Sequence, residues 1–408
     1  MNRAERRRRE KLARTVPAGA LLQEAARHHR AGALNDAETC YRAFLVRMPG
    51  HPQALHLLGL ICHQTGRNAE AATLIAEAER RAPDDAEMPY NLGNCLMLDG
   101  RPSEAAEAFR RALGIRPKRG DALNNLGTAL QRLDRLDEAI GTYQEALEAE
   151  PERTDALGNM AQALQALGRY DEAVFAYRQV LARKPDHETA RHMVAAMTGE
   201  TPGSAPEDFV RRLFDGYADR FDTHLVTALG YRPERYVEVL RQAAGIETRF
   251  ASAIDLGCGT GLIGTLLRPT VDRLAGVDLS PAMVAKAEAR GIYDNLAVAA
   301  IEPFLEASRE RFDLFFAADV FVYVGALDGV FAKARASARP GAWFAFSVED
   351  ADGDGFALRP TGRYAHSLAY VGAVAEDAGW RLRASEGLIV RTDQGRAIPG
   401  HVVAAQLG

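Results

Sequence analysis

The stretch Ala251-Ser252-Ala253-Ile254-Asp255-Leu256-Gly257-Cys258-Gly259-Thr260-Gly261 decides the fold of the second half of this 408-residue chain. Its apolar start predicts a buried strand. An acid follows, then three glycines at alternate positions and a helical pattern from Leu262 to Leu267. Glycine lets the backbone turn tightly and approach a ligand with no Cβ in the way. The helix turns its free N–H groups and positive dipole end toward the same crevice. A second apolar run, Leu274 to Val277, ends in Asp278. An acid closing the second strand of an open α/β sheet is placed to accept both hydroxyls of a ribose. Together the two signals predict a nucleoside site.

Asp255 decides which nucleoside. Gly259-Thr260-Gly261-Leu262-Ile263-Gly264 also satisfies the dinucleotide pattern G-x-G-x-x-G. A dinucleotide presents a pyrophosphate, which a carboxylate about 4 Å away would repel by roughly 4 kcal/mol at intermediate dielectric. S-adenosylmethionine presents an ammonium, a sulfonium and a single carboxylate, so the acid becomes favourable. Asp255 to Gly261, followed by Gly276-Val277-Asp278-Leu279-Ser280, resembles motif I and the second-strand acid of class I S-adenosylmethionine-dependent methyltransferases. The resemblance implies cofactor contacts at Asp255, Gly257, Cys258, Gly259, Gly261, Asp278 and Leu279. A dinucleotide site and a purely structural glycine turn are the alternatives.

The length suits two or three domains. A net charge of −5 gives no basic face for nucleic acid. Cys40, Cys62, Cys95 and Cys258 form no C-x-x-C pair. They read as reduced, cytoplasmic thiols rather than disulfides or a zinc site. The histidines are scattered without ligand spacing, so no metal is expected. No apolar run reaches the ~18 residues of a membrane span. Residues 1–17 form a basic tail carrying Arg3, Arg6, Arg7, Arg8, Arg9, Lys11 and Arg14. It reads as a solvated tail, with contact to an acidic partner or membrane surface as the other reading.

Prolines at 49, 83, 117, 151 and 185 recur every 34 residues. Ala37, Ala71, Ala105, Ala139 and Ala173 keep step, as do Tyr41, Ile75, Phe109, Tyr143 and Tyr177. Gly59, Gly93 and Gly127 mark a close contact on the first helix, and Gly32, Gly66, Gly100 and Gly168 the turn between helices. This is the tetratricopeptide signature, with proline ending each second helix. The reading is a five-repeat solenoid plus a capping helix over 18–198, a Gly/Pro-rich linker at 199–206, and a catalytic domain over 207–408. Asn91, Asn125 and Asn159 hold one position in three consecutive repeats. An amide donates and accepts at once, which suits a peptide backbone on the concave surface. The set resembles the asparagine ladder of the O-linked N-acetylglucosamine transferase. Bonding within the solenoid accounts for the same pattern.

From Ala251 onward strands and helices alternate, which builds a parallel sheet, and two successive strands close the chain. The whole resembles an all-α tetratricopeptide solenoid followed by an α/β Rossmann-like, seven-stranded class I methyltransferase domain. Phe214 to Leu225 and Gly362 to Ser367 look like the bacterial family of predicted tetratricopeptide-containing methyltransferases. That resemblance implies a lid before the first strand, with Tyr217 and Phe221 on one helix face. Their rings would shield a sulfonium, or simply pack the helix on the sheet. Asp319, after the fourth strand, is placed to meet cofactor or acceptor. Related sequences close the third strand with an acid. This chain has Ala300, leaving Glu302 as the substitute. His366, His224 and Tyr364 are the candidates for a general base, should the acceptor need one.

The sequence therefore predicts an S-adenosylmethionine-dependent methyltransferase whose repeats recruit a protein or peptide. Two alternatives stay open. One is a repeat scaffold that binds the cofactor without turnover; the other is a small-molecule or carrier-tethered methyltransferase whose repeats serve assembly. Ala318-Asp319-Val320-Phe321 does not resemble Asn-Pro-Pro-Tyr, which argues against adenine or glutamine amide as acceptor. Acceptor, partner and oligomeric state are not legible.

Overall fold

The computed structural model describes residues 10–218, 221–222, 232–245, 248–393 and 396–408. The chain divides into two compact units, Met1–Arg183 and Lys184–Gly408.

The first unit pairs helices from Ala18–Arg30 and Leu34–Arg47 through to Thr154–Ala166 and Tyr170–Arg183. The repeat residues pack as their spacing implies. Ala37, Ala71, Ala105, Ala139 and Ala173 are fully buried, and so are Tyr41, Ile75, Phe109 and Tyr143. A Cβ on Gly59, Gly93 or Gly127 would lie 2.5 Å from Ile75, Phe109 or Tyr143, closer than packed carbon atoms come. Gly32, Gly66, Gly100 and Gly168 take positive φ at the inter-helix turn. The fourth repeat has Asp134 there, also left-handed at φ 59°, a conformation aspartate tolerates better than most residues. A second periodic set is Arg67, Arg101, Arg135 and Arg169, each paired with the glutamate three residues on. These pairs are largely exposed and add little stability each.

In the second unit, β1 (Phe250–Leu256), β2 (Val271–Asp278), β3 (Asn295–Val298), β4 (Phe312–Ala317), β5 (Ala338–Glu349), β8 (Trp380–Asp393) and β9 (Arg396–Leu407) form one sheet, ordered β3-β2-β1-β4-β5-β9-β8. The pairs from β3 through β5 are parallel, and β9 runs antiparallel to β5 and β8. Alternate residues feed opposite faces, as strand geometry requires. Phe315 and Ala317 join the core with Phe344, Phe346 and Trp380, while Leu314 and Phe316 join the other with Tyr236 and Ile263. Each fully buried Phe contributes about 1.5–3 kcal/mol. Ser280 caps Pro281–Ala289 by accepting from the Met283 N–H at 3.1 Å, with proline in the first turn. A short hairpin, β6 (Phe356–Leu358) and β7 (Tyr364–His366), was not foreseen.

The stretch read as cap and linker folds with this second unit. Helix Glu188–Thr198 supplies Ala195 and Ala196 to a core shared with Ala205, Val210, Leu358 and Tyr364. His192 Nε2 bonds the Gly362 carbonyl at 3.0 Å. The Gly203 carbonyl accepts from the N–H groups of Gly325 and Ala326, and the Ala205 N–H donates to the Tyr323 carbonyl. Gly and Pro at 199–206 thus shape an ordered strap rather than a tether.

Candidate functional site

β2 and β3 lie to one side of β1, and β4 and β5 to the other. The strand order reverses beside β1, so a crevice opens at the carboxyl ends of the strands. A cavity of about 500 Å³ occupies it. The motif supplies its floor. Val277's carbonyl accepts from the N–H groups of Gly257 and Cys258, at 2.8 and 3.0 Å, folding the loop back over β2. The Gly259 N–H then donates to Asp278 Oδ2 at 2.9 Å, and the Ser280 N–H to Asp278 Oδ1 at 2.8 Å. Each carboxylate oxygen keeps lone pairs for a ligand hydroxyl. Burial pushes the Asp278 carboxyl up from its ordinary value, and the two N–H groups offset part of that.

The glycines divide by role. Gly259 is left-handed at φ 53°, and a Cβ there would meet only the Phe221 ring, at 3.7 Å. That gap leaves the backbone open to close approach. Gly261, Gly264 and Gly276 make room instead for Tyr293. A Cβ on Gly264 would lie 2.5 Å from Tyr293 Cζ, and one on Gly276 2.9 Å from its ring. Through this slot the Tyr293 hydroxyl donates to Asp255 Oδ2 at 2.7 Å. Asp255 is 2% exposed, and burial lifts its carboxyl to about 7, against the pull of that hydroxyl.

Asp255, Gly257, Cys258, Gly259, Asp278, Leu279, Glu302, Asp319 and Phe221, all expected to touch cofactor, line this one cavity. Gly261 and Tyr217 do not line it. The first packs on Tyr293 and Arg290, and the second sets its ring edge-on to Phe221 at 5.5 Å. Two described acids of the segment expected to form a lid, Asp215 and Asp222, are bonded to the motif and its neighbours. Ser280 Oγ donates to Asp215 at 2.5 Å, and Asp222 accepts from Thr260 and Arg290.

Two of the three expected bases, His366 and Tyr364, sit away from the cavity. His366 is fully buried behind the hairpin. Its Nε2 is within 2.9 Å of the Val324 and Gly325 carbonyls, so that nitrogen carries the proton. Burial lowers its pKa. Tyr364 is also fully buried, and neither residue lines the cavity. Local sequence could place both after β5 but not on the inner side of a hairpin. His224 lies outside the described residues.

Sequence reading missed a buried charge cluster beside the cavity. Asp319, left-handed at φ 57°, accepts from Arg363 Nη2 at 2.7 Å, and its own N–H donates to Ser347 Oγ at 2.9 Å. Arg363 also donates to Glu349 at 2.9 Å and to the Tyr323 hydroxyl at 3.0 Å. Burial works to raise the Glu349 carboxyl, but Arg363 and Arg391 outweigh it and hold it low. Gly362-Arg363-Tyr364 carried a family likeness, yet nothing in it signalled the partner acids.

Asn91, Asn125 and Asn159 lace neighbouring repeats together. Their Nδ2 groups bond His56 Nε2 at 2.9 Å, Asn94 Oδ1 at 2.9 Å and Asn124 Oδ1 at 3.0 Å. In the same unit Glu24, His28 and Cys40 bring three potential ligand atoms within 4.8 Å of one another. Glu24 is exposed there and paired with Arg27. Among the described residues no helix is long and apolar enough to cross a membrane.

Known proteins place both units. Residues 254–346 match the family model for a methyltransferase domain, and residues 22–86, 65–122 and 118–186 match tetratricopeptide repeat models. The chain thus joins tetratricopeptide repeats to a class I methyltransferase domain, whose cofactor is S-adenosylmethionine. Human methyltransferase-like protein 27 is 34% identical over 117 residues, 25% of this chain and 48% of that protein. The match therefore spans about half the length of that relative. Among solved structures, the N-methyltransferase NodS from Bradyrhizobium japonicum WM9, in complex with S-adenosyl-l-homocysteine, is 17% identical. It covers 48% of this chain and 97% of its own, with a TM-score of 0.41. YrrB, a tetratricopeptide protein with an unusual peptide-binding site, is 20% identical, covering 47% and 97%, with a TM-score of 0.41.

Proposed function

We propose that this chain catalyses methyl transfer from S-adenosylmethionine and that its repeats recruit a protein or peptide to be modified or regulated. One observation carries the catalytic part. The open backbone at Gly259 and the ribose-type acid Asp278 are hydrogen-bonded to each other in the floor of one cavity. The donor set fits the cofactor. Asp278 would take the ribose hydroxyls, and Asp255 faces the end where the ammonium belongs. Phe221 covers the Gly259 gap, supported by Phe214 at 6.0 Å.

When bound, the cofactor supplies an electrophilic methyl group. The residues of this chain orient it, exclude water and hold the acceptor within about 3–3.5 Å for in-line attack. Asp319, clamped by Arg363 and Ser347, is the rigid polar group at the acceptor side. The strain of a left-handed aspartate is held only where surrounding bonds over-determine it, and such residues gather at functional sites. The recruiting role rests on the repeat array and on the asparagines. Their carbonyl oxygens have two lone pairs, so they can still accept from a peptide N–H. Four buried free cysteines suit a reducing cytoplasm. Incubating the full chain with tritiated cofactor and cell extract tests the reading. Labelled product and S-adenosylhomocysteine are expected; cofactor binding with no turnover would leave a scaffold.

A further inference from the structure

We propose that the methyl acceptor is an amine, on an aliphatic or peptidyl body, rather than a carboxylate, a phosphate or a phosphate-bearing carrier. The inference rests on the methyltransferase reading and names the substrate class of the same cavity.

The argument begins with charge. Six carboxylates line the cavity: Glu207, Asp255, Asp278, Glu302, Glu306 and Asp319. Among the described lining residues there is no lysine, arginine or histidine. The nearby cations are turned to other work. Arg290 holds the Thr260 carbonyl at 2.5 Å and the Asp222 carboxylate. Arg363 is enclosed by Asp319, Glu349 and Tyr323. Lys333 pairs with Glu306 at 3.0 Å from outside the cavity. Asp255 and Asp278 belong to the cofactor half. Glu302, expected to meet the cofactor, belongs with them; Asp319 and Glu306 are balanced by Arg363 and Lys333, which leaves Glu207 to set the sign of the acceptor half.

Position sharpens the argument. Glu207 is exposed at the start of helix Glu207–Asp215, and Glu302 is half-buried in the first turn of Ile301–Ala307. Gly329 makes room for the Glu302 carboxyl, since a Cβ there would lie 2.7 Å from Glu302 Cδ. The lining also includes apolar and aromatic side chains: Val210, Phe214, Ile301, Tyr323, Val324 and Val330. Phe214 and Tyr323 stand edge to face at 5.4 Å. Apolar walls lower the local dielectric and strengthen every charge interaction inside. Aromatic faces favour a cation and carboxylates bind one, while an anion would meet repulsion with no cation among the described lining residues to offset it. A chain bearing a primary amine matches each of these features.

The chemistry balances without a further reagent. An ammonium first gives up a proton, and a carboxylate of the rim is the group to take it. The nitrogen lone pair then forms the C–N bond as the C–S bond breaks, with that electron pair passing to sulfur. The N-methylated product leaves as its conjugate acid.

The test labels full-length protein and cell extract with tritiated cofactor, then determines how the methyl group is bound. Calorimetry with S-adenosylhomocysteine runs in parallel. The expected result is label that survives alkali and is recovered as an N-methylamine. Glu207→Gln should cut the N-methyl label formed in extract at least tenfold while leaving S-adenosylhomocysteine affinity within twofold. Label released by alkali as volatile methanol would mark a carboxyl ester and overturn the amine, with the methyltransferase reading intact. Unchanged labelling by this variant would overturn the assigned rim. Bound S-adenosylhomocysteine with no label on any acceptor would overturn the underlying reading, and this inference with it.

Discussion

Arg363 reaches Asp319 at 2.7 Å from the loop between β6 and β7, pinning a left-handed aspartate at the end of β4 to the edge of the cavity. The same guanidinium holds Glu349, which is 1% exposed. Removing one partner from a buried ion network leaves uncompensated charge, which costs about 3–5 kcal/mol. Arg363→Met should therefore lower the unfolding free energy by about that much in urea titrations. A loss under about 1 kcal/mol, the range of an exposed pair, would mean that solvent already screens the cluster.

Asp255 gives the protein a pH signature. Its carboxyl is lifted to about 7 in the folded chain, from an ordinary 3.8. Between those values the folded state holds a proton that the unfolded state has lost. Its contribution to stability is thus fully present below pH 3.8 and is lost as pH rises through about 7. Cofactor binding runs the other way, because the ammonium prefers the ionised acid. Affinity for S-adenosylhomocysteine should rise with pH up to about 7 and then level off, and Asp255→Asn should flatten the curve. A wild-type profile already flat from pH 5.5 to 8 would place the ammonium elsewhere.

Tyr293 occupies the slot left by three glycines, so Gly264→Ala should overpack it. Such insertions cost about 1–3 kcal/mol. Thermal unfolding should show the loss, and weaker cofactor binding should accompany it as Asp255 shifts. A variant as stable as the parent would mean that the ring has room to move.

How much of this was legible follows from the range of the interactions. The 34-residue period repeats local packing, so Gly93 against Phe109 is visible at a separation of 16 residues. Strand ends at Asp255 and Asp278 follow from alternation and glycine, which are also local. Tyr293 meets Gly264 and Gly276 only once three strands have assembled, and no residue near it in sequence announces the contact. The strap at 199–206 has a linker's composition; only its backbone bonds to residues 323–326 show its place. His366 failed as a base for the same reason, because a hairpin's inner side is a tertiary fact.

That strap makes its own prediction. A chain begun at Pro206 loses helix Glu188–Thr198, the His192–Gly362 bond and the Gly203 contacts, whereas one begun at Lys184 keeps them. The longer fragment should fold cooperatively and bind S-adenosylhomocysteine like the full chain, and the shorter one should melt lower. Equal melting of the two would show that the strap adds nothing to the catalytic unit.

The most direct measurement is calorimetry of S-adenosylmethionine binding to the full chain and to Asp278→Ala. A carboxylate accepting from ribose hydroxyls contributes about 1.5–3 kcal/mol per charged hydrogen bond. Since about 1.4 kcal/mol is tenfold in Kd, the variant should bind at least tenfold more weakly with its fold intact by circular dichroism. An unchanged Kd, or wild-type protein that takes NADH in place of S-adenosylmethionine, would contradict the account.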